Sequence, residues 1–278
     1  MTATVREAIA AATARLRAAG VEGAARDARR LLEHVLGAQP DPGAALPPEA
    51  ARRFAAAVAA RVDRRPVSQI VGERAFWGRQ FRVTADVLDP RPETETLIAA
   101  ALAGPAPGRI LDLGTGSGAI LLTLLAEWPE AEGVGSDLSP AALAVAWQNA
   151  GRLGVAERAR LISADWWTGV AGCFDLIVSN PPYIPAAEVP TLAPELRRWE
   201  PSMALTPGAD GLAAYRRIAV GLATHLAPGG RALFEVGAGQ GAEVAALFAT
   251  GGWHTYMHED MDGRGRVVGV ARAPHSGG

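Results

Sequence analysis

Lysine is absent from this chain: all 27 basic residues are arginine. Schiff-base nucleophiles and lysine general bases are thereby excluded, as is a P-loop, whose phosphate cradle needs a lysine. Cysteine is almost absent. The single Cys173 can form neither an internal disulfide nor a cysteine-cluster metal site. No stretch approaches the roughly 18 consecutive apolar residues of a membrane span. The opening Met-Thr-Ala-Thr-Val-Arg-Glu lacks the basic region and apolar core of a secretory leader. The expectation is a cytoplasmic protein with no membrane partner. A net charge of −2 gives the whole molecule no strong pull toward nucleic acid.

What is present is an ordinary globular composition, 49% apolar and 20% charged. A length of 278 residues suits one large domain, or one domain with a small helper. The first 65 or so residues are rich in Ala, Leu, Arg and Glu, good helix formers. Val5, Ile9 and Leu16, then Leu31, Leu32, Val35 and Leu36, recur at helical spacing. Breaks are expected at Gly20, Gly37, Pro40 to Pro48, and Pro66. Residues 1–75 hold twelve arginines against eight acids, and the remainder fifteen against twenty-one. Phe76, Trp77, Phe81, Val83 and Val87 suggest an extended hairpin turning at Gly78. From Arg109 onward, short apolar strands alternate with helices, and strands such as Asp-Leu-Ile-Val are apolar without interruption. That pattern predicts an α/β fold with a mostly parallel sheet covered on both faces. The expected boundaries are a helical domain over 1–72, a β-hairpin linker over 73–90, and a catalytic domain over 91–278.

Four motifs carry chemistry. Asp112-Leu113-Gly114-Thr115-Gly116-Ser117-Gly118 ends the first strand of the catalytic region and opens a helix. Its close G-x-G-x-G spacing differs from the dinucleotide fingerprint and suits a nucleoside carrying an amino acid. Asp137 follows Gly114 by 23 residues, at the tip of the next strand, where a carboxylate can accept from both ribose hydroxyls; helix capping falls better to Ser139. Asp165-Trp166 follows the third strand. The acid can accept an adenine amine and the indole can lie on the ring; Trp166 and Trp167 cannot both face one pocket, and Trp166 is the expected one. Asn180-Pro181-Pro182-Tyr183 ends the strand Asp175 to Ser179. Two prolines make a rigid corner rich in acceptors and poor in donors. A primary amide offers two donors, which the Asn180 side-chain oxygen and the Pro181 carbonyl can receive, with Tyr183 as a wall. His254 and His258 share a strand face, but without a third ligand no metal site is expected.

These motifs, in this order, resemble those of class I S-adenosylmethionine-dependent methyltransferases. More closely, the chain resembles the protein-(glutamine-N5) methyltransferases that act on peptide chain release factors, the HemK/PrmC family. The likeness runs through PVSQIVGERAFW (Pro66 to Trp77), VLDPRPETE (Val87 to Glu95), DLIVSNPPYI (Asp175 to Ile184), Glu200-Pro201, GADG (Gly208 to Gly211), Gly229-Gly230 and Arg266-Val267-Val268. One departure is Asp89, where an aliphatic residue is expected before Pro-Arg-Pro. The resemblance implies a Rossmann-like seven-stranded sheet, a small all-α N-terminal domain and a hairpin linker. It implies S-adenosylmethionine as donor, leaving S-adenosylhomocysteine, held by Asp112, Gly114 to Gly118, Asp137, Asp165, Trp166 and Asn180. It implies a substrate glutamine held by Asn180, Pro181, Pro182 and Tyr183, with Asn180 and Pro181 catalytic and Arg91 and Glu93 shaping the pocket mouth; Pro92 and Glu93 read equally well as a plain helix start.

The implied substrate is the Gly-Gly-Gln tip of class I release factors, so the role is in translation termination. A monomer is expected, with its N-terminal arginine face, including Arg29 and Arg30, docking a distant part of the factor. Two rivals share the chemistry. One is the enzyme that methylates a ribosomal-protein glutamine. The other is a DNA adenine-N6 methyltransferase, disfavoured because DNA binding needs a basic footprint and the catalytic half is acidic. A non-enzymatic adaptor fits poorly with intact motifs. With no lysine, and no histidine in any motif, catalysis is expected to proceed by positioning the amide nitrogen.

Overall fold

The structure, a computed structural model, describes residues 3–272. In chain order come helices α1 (Val5–Ala18), α2 (Ala24–Leu36), α3 (Pro48–Val62) and α4 (Val67–Val71), then strands β1 (Glu73–Phe76) and β2 (Arg79–Arg82). These are followed by α5 (Glu95–Leu102), β3 (Arg109–Leu113), α6 (Ala119–Glu127), β4 (Glu132–Asp137), α7 (Pro140–Arg152), β5 (Ala159–Ser163) and β6 (Phe174–Ser179). Two short helices, α8 (Pro194–Trp199) and α9 (Ser202–Leu205), precede α10 (Ala213–His225), β7 (Leu226–Glu235), α11 (Gly241–Thr250), β8 (Trp253–Glu259) and β9 (Gly265–Arg272). No helix among the described residues is long and apolar enough to cross a membrane.

The chain forms two compact units. The first runs to Glu73 and also takes in Ala193–Trp199. Its core is the helical stripe Val5, Leu16, Leu31, Leu32, Phe54 and Val58. Thr4 caps α1 in a reciprocal box with Glu7. α3 ends at Val62, capped at Asp63 and followed by Arg64 with φ of 69°, so Pro66 does not end it; Pro66 instead heads α4, a helix that the sequence reading lacked, proline being tolerated at a helix start because no intrahelical donor is needed there. Residues 193–199 join this unit through charge. Arg61, 7% exposed, donates to Asp27 at 2.9 Å and to Glu195 at 3.0 Å, and Arg64 pairs with Glu195 at 2.8 Å.

The second unit opens with the β1–β2 hairpin. Trp77 and Gly78 both have positive φ, 47° and 69°, the two-residue turn that matches strand twist. The hairpin is shorter than expected. Its strands end at Arg82, where the Asn149 amide receives the Arg82 N–H at 2.7 Å and donates to its carbonyl at 3.1 Å. The main sheet has seven strands in the order β5-β4-β3-β6-β7-β9-β8, parallel except for the β7–β9 and β9–β8 pairs. Side chains alternate between its faces. Ile110, Leu176, Leu233 and Val267 meet α5 and α6 on one side. Leu111, Ile177, Phe234 and Val268 meet α10 and α11 on the other. Both faces are dry, which is why these strands read as unbroken apolar runs. Strand order reverses between β3 and β6, so the loops leaving their carboxyl ends diverge and open a crevice between them.

Candidate active site

The crevice is a cavity of about 530 Å³, within the usual size range of small-ligand sites. Three loops meet in it: the glycine loop after β3, the Asp137 turn after β4, and the Asn-Pro-Pro-Tyr corner after β6.

The glycine loop needs its glycines. Gly114, Gly116 and Gly118 all adopt left-handed φ, of 73°, 53° and 81°. The loop is stitched to β4: Gly114 and Thr115 N–H donate to the Ser136 carbonyl at 2.8 and 2.9 Å, and Gly116 N–H donates to Asp137 Oδ2 at 2.9 Å. Gly114, Thr115, Gly116 and Ser117 line the cavity; Gly118 does not. Asp112 does not line it either. It lies fully buried beneath the loop, where Thr115 Oγ1 donates to its Oδ2 at 2.7 Å and its Oδ1 has no partner. Burial pushes its pKa up to about 7, against the lowering effect of the Thr115 bond.

Asp137 lines the cavity. Its Oδ1 accepts from Ser139 N–H at 2.9 Å and its Oδ2 from Gly116 N–H, while Ser139 caps α7 through Ala142. A carboxylate has about four acceptor sites, so both oxygens retain capacity for ligand hydroxyls. Leu138, 55% exposed, adds an apolar wall beside it that the sequence reading missed; a large apolar side chain next to a site carboxylate was the available signal.

Asp165 and Trp166 also line the cavity. Trp166 has φ of 56°, an outlier for a bulky residue, and this turn aims consecutive indoles in different directions. Trp166 faces the cavity, while Trp167 stacks on His225 at 4.8 Å and donates to the Arg217 carbonyl at 3.0 Å. Asp165 is not free for a ligand alone: Arg217 pairs with its Oδ2 at 2.7 Å and lies over the Trp166 ring.

At the corner, Asn180 and Pro182 line the cavity, whereas Pro181 and Tyr183 do not. Asn180 Nδ2 donates to Thr94 Oγ1 at 3.1 Å. Among the described residues, none is recorded as donating to Asn180 Oδ1 or the Pro181 carbonyl, but only Asn180 of the two lies on the cavity wall. Tyr183 is half-buried. Burial pushes its phenol up to about 12, with the Glu235 charge adding to the rise. Its carbonyl accepts from Gln240 Nε2 at 2.9 Å. Packing behind the corner is tight: a Cβ on Gly211, whose φ is 79°, would meet the Tyr183 carbonyl at 2.4 Å. Thr94, Glu235 and Gln240 were missed in the sequence. Glu235 carried the same signal as Asp137, an acid at the carboxyl end of an apolar strand.

Arg91 lines the cavity and pairs with buried Glu200 at 2.5 Å; Glu93 is exposed and off the wall, although its charge reaches Tyr183 and Glu235. Asp89, the departure noted above, is buried on the cavity wall and answered by Arg74 at 3.9 Å. No group of three metal-ligating side chains occurs among the described residues. The glycine cradle, the doubly held carboxylate with spare acceptor capacity, and the apolar walls fit a nucleoside bearing an amino acid.

The chain is similar to known proteins over nearly its whole length. Residues 7–72 match the model of the PrmC N-terminal domain, and residues 88–195 that of the methyltransferase small domain. The release factor glutamine methyltransferase of Cereibacter sphaeroides is 58% identical over 96% of this chain and 98% of its own. That of Rhodospirillum rubrum is 50% identical, over 91% and 81%. That of Deinococcus radiodurans is 39% identical, over 97% and 99%. A methyltransferase crystal structure from Pyrococcus furiosus shares the fold, with a TM-score of 0.54 and 16% identity over 72% of this chain and 92% of that one.

Proposed function

The chain belongs to the release factor glutamine methyltransferase family, and from that premise we propose that its crevice methylates the side-chain amide of a release-factor glutamine. The methyl donor is S-adenosylmethionine, which when bound supplies an electrophilic methyl group on a sulfonium. Gly114, Thr115, Gly116 and Ser117, with Asp137, Leu138 and Trp166, would hold it. Asp165 would serve through its oxygen not engaged by Arg217, and Asp112 by supporting the loop from below.

The observation that carries this reading is the pair of uncommitted acceptors at Asn180 Oδ1 and the Pro181 carbonyl. A carboxamide nitrogen is a weak nucleophile because its lone pair is delocalised. Two acceptors on its two N–H groups draw electron density toward nitrogen and fix its direction. Holding reacting groups in this way contributes about 7–11 kcal/mol in well-oriented systems. Once the nitrogen carries an added substituent it is strongly acidic, so its proton passes to solvent without a lysine or histidine base. Pro182 lines the cavity and keeps the corner rigid, with Tyr183 packed behind it and held by Gln240.

The proposed target is the glutamine of the Gly-Gly-Gln tip of class I release factors. The proposed working unit is a cytoplasmic monomer that binds protein and not nucleic acid. Exposed Arg29 and Arg30 on α2 are proposed to dock a distant part of the factor; their reversal to glutamate should raise KM for intact factor, and an unchanged KM refutes that docking. The main test is incubation with methyl-labelled donor and three acceptors: a class I release factor, ribosomal proteins and duplex DNA. Label on the release-factor glutamine is expected. Label confined to ribosomal protein or DNA overturns the reading.

A further inference from the structure

Proline carries no N–H, so Pro181 and Pro182 cannot anchor the corner through donors of their own. Their fixed φ makes it stiff, and holding both flanks fixes what lies between. The sheet holds the entry. Ser179 pairs with Phe234 of β7, and its hydroxyl donates to the Leu113 carbonyl at 2.6 Å. The exit is held at one peptide group, on both of its sides. Ile184 N–H donates to the Leu205 carbonyl at 3.0 Å, and the Tyr183 carbonyl accepts from Gln240 Nε2 at 2.9 Å.

Gln240 is half-buried and stands just before α11. Its Oε1 accepts from Gly237 N–H at 3.1 Å. Each partner has a single role, because a backbone carbonyl only accepts and a backbone N–H only donates. The two bonds therefore fix which end of the Gln240 amide faces the corner. Two glycines let the amide in. A Cβ on Gly237 would meet Gln240 Oε1 at 2.5 Å and Tyr183 Cδ2 at 3.0 Å, and one on Gly211 would meet Gln240 Nε2 at 2.9 Å. The amide thus bridges the loops that leave two neighbouring strands, β6 and β7. Gln240 itself is not on the cavity wall, whereas Asn180 is. We propose that Gln240 is a positioning residue for methyl transfer: by gripping the Tyr183 carbonyl it sets where the Asn180 carboxamide stands in the cavity.

This inference rests on the function proposed above, and its test separates the two. Gln240→Leu removes both bonds. Gln240→Glu keeps an acceptor for Gly237 N–H but sets a carboxylate against the Tyr183 carbonyl. Once protonated, that glutamic acid regains a donor, so the two variants differ in their response to pH. Both are compared with wild type for kcat, acceptor KM, S-adenosylhomocysteine affinity by calorimetry, and melting, from about pH 8 to about pH 5.5. The charged groups acting at Tyr183 are Glu235 on β7, Arg266 on β9, Arg91 and Glu93. They are present in every form, so each rate is read against wild type at the same pH. At about pH 8 both variants should lose about 10- to 100-fold in kcat, the range that a small misplacement produces. S-adenosylhomocysteine affinity should stay within about twofold, since uniform binding is untouched. As pH falls, Q240E should regain about tenfold relative to wild type, because the facing carbonyl raises its carboxyl above the ordinary value of about 4.3; Q240L should regain nothing. Wild-type kcat in both variants, a Q240E to wild-type ratio that does not change with pH, or losses that merely follow S-adenosylhomocysteine affinity or melting overturn the inference. If Q240L does not fold, the pH response of Q240E decides alone. Failure of the wild-type enzyme to label a release factor would instead strike the functional reading.

Discussion

Both units bury carboxylates, but they treat them differently. In the helical unit Asp27 and Glu195 are answered by Arg61 and Arg64 at 2.8–3.0 Å. Burial raises the Glu195 pKa, yet the bonds from Arg64 and Arg61 outweigh it and hold the carboxyl below its ordinary value. In the catalytic unit Asp112 and Glu235 each keep one buried oxygen without a partner, and burial dominates, raising both to about 7. Paired charges join segments that are distant in the chain. Unpaired ones cost stability, and they lie under the glycine loop and behind the Asn-Pro-Pro-Tyr corner, where function can repay the cost.

The contrast can be broken at its strongest point first. Arg61→Met should destabilise the helical unit by about 3–5 kcal/mol, because buried Asp27 loses its 2.9 Å partner, while Glu195 keeps Arg64. Chemical denaturation measures this, and a loss under about 1 kcal/mol would mean that the network is ornamental. Asn180→Ala should act in the opposite way, lowering kcat by about 100- to 1,000-fold, as removal of one positioned polar contact does elsewhere. Melting and donor binding should be largely kept. A mutant with near-normal turnover refutes the positioning mechanism.

pH sharpens the same comparison. Asp112 and Glu235 have ordinary values of 3.8 and 4.5 and folded values of about 7. Across that window the folded protein keeps protons that the unfolded chain has shed, so stability falls as pH rises, by at most about 1.4 kcal/mol per pH unit for each group. Above about 7 the penalty is constant. Glu195 has the opposite sign: its contribution is complete above about 4.5 and fades as pH drops through its lowered value. Asp112→Asn should flatten the stability slope between pH 4.5 and 7, and an unchanged slope in denaturation series at several pH values would assign it elsewhere. The smallest effects belong to the helix caps. Thr4→Ala and Ser139→Ala should each cost about 1 kcal/mol, and Ser139→Ala should leave donor binding largely intact, since the bond to Asp137 comes from the backbone N–H of residue 139, which alanine keeps.

Much of this organisation was readable in the chain. The alternation of apolar strands and helices predicted the sheet because both of its faces are covered. The G-x-G-x-G loop, Asp137 and Asn180 could be read because each sits next to its own strand end, where spacing alone carries the meaning. Less legible were Thr94, Glu235 and Gln240, which matter only through what they touch. The tie of residues 193–199 to the helical unit was also invisible, because nothing local in Pro-Glu-Leu-Arg-Arg-Trp marks Glu195 as the partner of Arg61, 134 positions away.

Short-range chemistry therefore settled the loops: glycines where φ must be positive, prolines where donors must be missing, acids at strand tips. Folding in three dimensions settled direction. Asn180 carries an oxygen and an NH₂ of almost equal size, and nothing in its neighbours in sequence chooses between them. Its Nδ2 meets the hydroxyl of Thr94, 86 positions earlier, and only the packed sheet brings the two together.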